Sequence, residues 1–264
     1  AEDFYNDFKL SKQIFEEIED YTKIDIRNIV FNNEKKQLDL TRYTQICIFA
    51  VSYVIFKILQ NEKGLRNNDL NIMMGHSLGE YTALVCSNKI NLKDCCLILK
   101  KRGELMQDAI PPNETGMAAL IGKNYNDVKK IIDENSLNLE IANDNSNIQI
   151  VISGSINEIN NSEKIFLNNN IKKFVKLNVS AAFHSKYMFE AQEKLSLEIE
   201  KLDFVKNHIK IISNYDAGIY DDNLSIKRNL KKQMANTVNW TNSIKKLEEI
   251  GEKKIIEIGP SKVI

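Results

Sequence analysis

The chain has no excess charge of either sign: 36 lysines and arginines balance 36 aspartates and glutamates over 264 residues. That balance gives no reason to expect nucleic acid or a membrane surface as partner. A membrane-length apolar run is also missing. The longest, Ile46 to Leu59, is broken by Ser52 and Lys57 and reads as part of a buried helix over Leu40 to Gln60. No signal-peptide pattern opens the sequence, and no internal repeat is visible. The four cysteines, Cys47, Cys86, Cys95 and Cys96, lack metal-ligand spacing. Buried thiols in a reducing compartment, and no metal site, are therefore expected. Only three histidines occur, His76, His184 and His208, so few residues qualify as a neutral-pH base. What is present is globular: 43% apolar and 27% charged residues, enough chain for one sizeable core or a main domain with an insertion.

Gly75-His76-Ser77-Leu78-Gly79 follows the apolar Asn71-Ile72-Met73-Met74 and precedes Glu80-Tyr81-Thr82-Ala83-Leu84-Val85. A G-x-S-x-G pattern between a strand and a helix is a nucleophile elbow. The turn is expected to admit only glycine at 75 and 79. It would lift the Ser77 hydroxyl above the sheet edge, over a helix N-terminus that favours negative charge. The alternative is a plain βα turn whose serine caps the helix.

A serine nucleophile needs a base. His76 adjoins it, but at that place in an elbow its side chain points away. His208 opens a strand. His184, in the loop Ser180-Ala181-Ala182-Phe183-His184-Ser185, can meet a serine across a cleft, so elimination favours it; the competing reading is a helix-capping histidine. Arg102 lies in the middle of a helical apolar stripe running Cys95, Ile98, Leu99, Leu105, Met106 and Ala109. A buried guanidinium needs an anion, either an internal acidic side chain or a substrate carboxylate.

The chain reads as α/β: a mostly parallel sheet flanked by helices, hydrolase-like, with an inserted βαββαβ ferredoxin-like subdomain over 113–178. Residues 1–112 and 179–264 would form the discontinuous large domain. Helices are predicted over Asp3 to Tyr21, from Glu80, from a cap at Asp94 to Ile110 before Pro111-Pro112, and over Ser185 to Leu202, Ile226 to Met234 and Ser243 to Ile250. Strands are predicted at His208 to Ser213 and Lys254 to Ile258, beside the one leading into the elbow.

Several blocks together resemble the malonyl-CoA:acyl-carrier-protein transacylase family. They are Gly75 to Leu84, Lys101 to Gln107, Thr115 to Ala119, Ala142 to Ser146, Phe183 to Ser185, Gln233 to Thr241 and Ile256 to Ser261, in the family's order and over nearly the whole chain. The resemblance implies an acyltransferase that moves malonyl from malonyl-CoA to the phosphopantetheine thiol of an acyl carrier protein through a serine ester, with no cofactor. Ser77 matches the nucleophile, His184 the base, and Arg102 the residue that holds the malonyl carboxylate. Gln233 matches the position whose backbone carbonyl orients the imidazole. Gln45 and Asn143 match pocket-lining positions, and Leu78 the donor of half the oxyanion hole. Ala182-Phe183-His184 resembles the form carried by malonyl-selective relatives. Family members begin with a strand and a loop that supplies the second oxyanion donor, and they run beyond the Gly259-Pro260 turn. A second donor is therefore not expected in this stretch, a loss of ~10²–10³ in rate. Heavy use of asparagine, lysine and isoleucine, as in Asn168-Asn169-Asn170, resembles malaria-parasite coding bias. An apicomplexan version in the plastid stroma is expected on that ground, and a cytoplasmic one otherwise.

Carrier proteins are acidic, so basic docking is expected at Lys227, Arg228, Lys231 and Lys232, or at Lys172, Lys173 and Lys176. An ordinary solvated surface is the alternative for both. A monomer is expected. An α/β-hydrolase esterase or thioesterase would share the elbow, but no glycine-rich oxyanion loop is present. A non-catalytic interaction module would leave Ser77 unreactive.

Overall fold

The structure is a computed structural model and describes residues 2–260. The large lobe is built around α4 (Thr41–Lys63), a 23-residue helix. By length and composition α4 could cross a membrane, but 56% of its apolar window is buried inside the fold. Ile46, Phe49, Ala50 and Val54 pack it against α2 (Lys9–Thr22) and α6 (Leu92–Gln107). Helices α4 and α6 come close because Gly103 has no side chain: a Cβ there would sit 3.0 Å from the Arg42 Cα. The first predicted helix is two. α1 (Glu2–Asp7) ends before Phe8, which is extended at φ −120° and ψ 119°, and α2 follows. A further short helix, α3 (Ile26–Phe31), leads towards α4. Asn91, not Asp94, caps α6: its Oδ1 accepts from the Asp94 N–H at 2.9 Å.

Among the described residues the sheet of the large lobe has three strands. β1 (Ile72–Met73) runs parallel to β6 (Lys210–Ile212), which pairs antiparallel with β7 (Ile219–Tyr220). The expected mostly parallel sheet is thus smaller and evenly mixed. β7 is too short to show a periodicity. Lys254–Ile258 has the apolar character of a strand, yet it forms no ladder among the described residues, and Ile255 is 61% exposed. A strand exists only where an edge accepts its backbone bonds. After β1 comes α5 (Gly79–Cys86).

The middle of the chain folds as expected into β2 (Thr115–Ile121), α7 (Tyr125–Glu134), β3 (Glu140–Ser146), β4 (Gln149–Ser155), α8 (Ile156–Asn168) and β5 (Lys173–Lys176). The sheet order is β3-β4-β2-β5, antiparallel throughout. Alternation in β2 sends Ala118 and Leu120 to one face, where Ile131, Ile150, Ile152 and Phe166 complete a separate core. β3 extends past Ala142 through Asn143, Asp144 and Asn145, residues poor in strand propensity. Pairing with β4, interrupted by two register shifts, and a bridge from Asn143 to Val238 hold this stretch. After β5 the chain passes the His184 loop, then α9 (Phe189–Glu200), β6, β7, α10 (Asn223–Gln233) and α11 (Trp240–Ile250).

Candidate active site

β1 delivers the chain into the elbow and α5 carries it away. Ser77 sits in the left-handed region at φ 51°. Asn214, just beyond β6, clamps the turn: its Oδ1 accepts from Ser77 N at 2.6 Å and its Nδ2 donates to Gly75 O at 2.8 Å. A Cβ on Gly75 would lie 2.1 Å from the Gly79 carbonyl, so glycine is required there. Gly79 differs from expectation. It opens α5 with no atom within 4 Å of a built Cβ and no positive φ. The Leu78 N–H has no partner among the described residues and lies at the N-terminus of α5, where partial positive charge collects.

His184 comes from the opposite side, also left-handed at φ 55°. The small lobe fixes its loop. Thr115 Oγ1 accepts from Ala182 N at 3.0 Å, and Ser153 Oγ donates to Phe183 O at 2.7 Å. The imidazole Nε2 stands 2.8 Å from Ser77 Oγ. Its Nδ1 faces two carbonyls, Gln233 O at 3.1 Å and Asn236 O at 3.2 Å. Carbonyls only accept, so Nδ1 carries the proton and Nε2 presents a lone pair to the serine. Burial first, then Arg102 and His76, push the imidazole down to about 3, leaving it neutral at neutral pH.

Arg102 is 1% exposed on α6, as the stripe requires. It makes no ion pair among the described residues, which removes the internal salt-bridge alternative. Its Nη1 donates to Gln45 Oε1. Its Nη2 donates to Ser77 Oγ and to Gln233 Oε1, each at 3.0 Å. Gln45 is steadied by Met106, whose sulfur lies 3.1 Å from Nε2. A cavity of about 240 Å³ is lined by Ser77, Leu78, Arg102, Gln45, Met106, Phe183 and His184, with Asp39, Thr41 and Ser180 among its further wall residues. A larger, open hollow of about 450 Å³ lies at Leu40, Tyr43 and Pro111, and its wall includes none of Ser77, His184 and Arg102.

Other expected residues lie elsewhere. Asn143 is outside the cavity wall: its Nδ2 is 3.4 Å from His76 Nε2, and that imidazole also contacts Asn145 Oδ1 at 2.9 Å. His76 thus faces the small lobe and away from the Ser77 hydroxyl. His208 Nε2 contacts Asn67 O. Lys227 is buried with Nζ on Glu200 O, and Lys231 pairs with Glu200. Arg228 lies over the Tyr220 ring and Lys232 over the Tyr215 ring, both exposed. Lys176 pairs with Glu163. Ser261, at the end of the last resembling block, lies outside the described residues.

Sequence reasoning missed Glu80 and Asn214, and saw only the backbone of Gln233. Gln233 Nε2 donates to Ser77 O at 2.9 Å and to Glu80 Oε2 at 2.7 Å. Burial pushes the Glu80 carboxyl up to about 7, against the opposing pulls of Gln233, the Asn214 N–H and Arg102. The signal available was an acid in the first turn of an otherwise apolar helix.

Residues 10–264 match the family described as acyl transferase domain. The malonyl CoA-acyl carrier protein transacylase of Bacillus subtilis strain 168 is 31% identical over 267 residues, covering 100% of this chain and 83% of the relative. That of Salmonella typhimurium is 31% identical over 231 residues, 87% of this chain and 74% of the relative. The solved structure from Clostridium perfringens superposes with a TM-score of 0.89 at 34% identity, covering 98% of this chain and 81% of that one. A malonyl-transacylase in complex with its type II PKS acyl-carrier protein gives a TM-score of 0.92 at 29% identity, covering 98% of this chain and 84% of that one. The organisms named are bacteria, which lends no support to an apicomplexan origin or to the plastid setting that depended on it. The chain is therefore an enzyme of the acyl transferase domain family and belongs with the malonyl CoA-acyl carrier protein transacylases.

Proposed function

We propose that this enzyme transfers a malonyl group from malonyl-CoA to the phosphopantetheine thiol of an acyl carrier protein, in fatty acid synthesis, by a ping-pong mechanism. Ser77 Oγ attacks the thioester carbonyl while His184 Nε2 takes its proton. The oxyanion meets the Leu78 N–H and the N-terminus of α5. The C–S bond then breaks, the departing CoA sulfur takes the proton from His184, and malonyl-Ser77 remains. The carrier thiol enters, gives its proton to His184 and attacks the ester. Ser77 Oγ leaves and recovers the proton. Arg102 holds the malonyl carboxylate throughout and keeps the ester in line for the thiol. The scheme needs no cofactor or metal. All three side chains come from one chain, so a monomer suffices.

One observation carries this reading: Ser77 Oγ lies 2.8 Å from His184 Nε2 and 3.0 Å from Arg102 Nη2. An ordinary esterase has no use for a guanidinium beside its nucleophile. Intact-mass measurement after incubation with malonyl-CoA should show one added malonyl group, absent in Ser77→Ala. Arg102→Ala should lose malonyl loading while acetyl loading persists. Wild-type protein that stays unmodified, yet hydrolyses p-nitrophenyl esters, would mean an esterase instead. For the carrier, the exposed Arg228 and Lys232 are the docking cations of the α10 cluster, since Lys227 and Lys231 are engaged by Glu200. We place division of the chain at 113–178, where the second sheet has its own core.

A further inference from the structure

Under the nucleophile lies a buried acid that the transfer scheme leaves unused. Glu80, three residues after Ser77, is 3% exposed. Carboxyls are seldom this deep without a function for their hydrogen bonds. Its Oε2 accepts from Gln233 Nε2 at 2.7 Å and from Asn214 N at 3.1 Å. Asn214 is the residue that clamps Ser77 N and Gly75 O.

The two ends of an amide have nearly the same shape, and its partners decide which way it points. On one side of Gln233 lie two acceptors, Ser77 O and Glu80 Oε2, and these demand the NH₂ group. Oε1 is then forced towards Arg102, which can only donate. Without the Glu80 acceptor the amide loses its strongest constraint, and a turned amide would set N–H donors against the guanidinium. Among the described residues Arg102 has no ion-pair partner, and Glu80 lies one amide away, joined to it through Gln233.

We propose that Glu80, acting through the Gln233 side chain, is the positioning residue that holds Arg102 beside Ser77 and so sets the preference for acyl groups with a free carboxylate. This rests on the role of Arg102 given above. Glu80 touches neither substrate nor reacting atom; it orients the group that does.

The test compares malonyl and acetyl loading from their CoA thioesters, with kcat and KM for each, in Glu80→Met, Glu80→Gln, Gln233→Met and Arg102→Ala. Glu80→Met and Gln233→Met should each lower the malonyl-to-acetyl ratio of kcat/KM about tenfold, chiefly through the malonyl KM. Glu80→Gln keeps an acceptor for Gln233 and should hold the ratio near wild type. Gln233→Met retains the backbone carbonyl that orients His184, so it carries the test if Glu80→Met does not fold. An unchanged ratio in both methionine variants overturns the proposal, as does an equal fall for both substrates, which would mark a mere structural prop. If Arg102→Ala leaves malonyl loading intact, the Arg102 role itself fails. If Arg102→Ala abolishes it while the methionine variants keep their ratio, only the Glu80 proposal fails.

Discussion

At the scale of single residues, the state of His184 decides whether Ser77 has a base, and that state is set by burial. An exposed imidazole takes its proton near pH 6.5, whereas His184 takes its proton only near 3. Between these values the unfolded chain binds a proton that the folded one does not, so stability falls as pH drops through this window. Glu80 acts in the opposite sense: between pH 4.5 and about 7 its carboxyl is protonated in the fold while ionised in the unfolded chain, so its contribution weakens as pH rises through that window. Comparing wild type with His184→Gln isolates the imidazole. Wild type should lose roughly 2 kcal/mol more than the variant between pH 6.5 and 4.5, measured by urea unfolding at both values. Equal losses would mean His184 is not held neutral. Ser77, His184 and Arg102 were readable in the sequence because each is rare or misplaced for its setting: a serine between glycines, a loop histidine, a charge on an apolar stripe. Glu80 and Asn214 were not. An acid near a helix start and an asparagine after a strand are both commonplace, and only the fold sets Glu80 against Gln233 and Asn214 against the elbow.

At the scale of elements, the elbow separates two glycines that look equivalent in the motif. Gly75 faces the backbone of Gly79 at 2.1 Å from a built Cβ, while Gly79 faces open space. Gly75→Ala should therefore abolish malonyl loading or soluble expression. Gly79→Ala, at the first position of α5, should load normally and gain on the order of 0.5 kcal/mol, seen as a higher Tm. A damaging Gly79→Ala would show that the helix start cannot accept a side chain. Periodicity made α4, α6 and the βαββαβ order legible, since an amphipathic stripe or alternation repeats over many residues. It failed at β7 and at Lys254–Ile258. Two residues hold no period, and an apolar stretch becomes a strand only if an edge is there to receive it.

At the scale of the molecule, the small lobe supplies no reacting side chain yet governs one. Ser153 on β4 and Thr115 on β2 hold the loop that carries His184, while Val238 bonds both Ala142 and Asp144 on β3. Ser153→Ala frees the Phe183 carbonyl and should slow malonyl and acetyl loading alike by about tenfold with little change in Tm, because the imidazole loses its aim. An unchanged loading rate would remove the small lobe from that role. Docking belongs to this scale as well. Arg228→Glu with Lys232→Glu should raise the KM for carrier protein several-fold and leave loading from CoA unchanged; an unaltered carrier KM would exclude α10 as the docking face. The amino-acid sequence by itself determined the strand-turn-helix that presents Ser77, the buried stripe that carries Arg102 and the order of the inserted unit. These depend on contacts among near neighbours in the chain. Tertiary structure alone decided that position 184 reaches position 77 across 107 residues and that Glu80, Gln233 and Arg102 share one hydrogen-bonded frame. Hydrogen bonds of that range leave no periodic trace, because their partners are brought together only when the whole core closes.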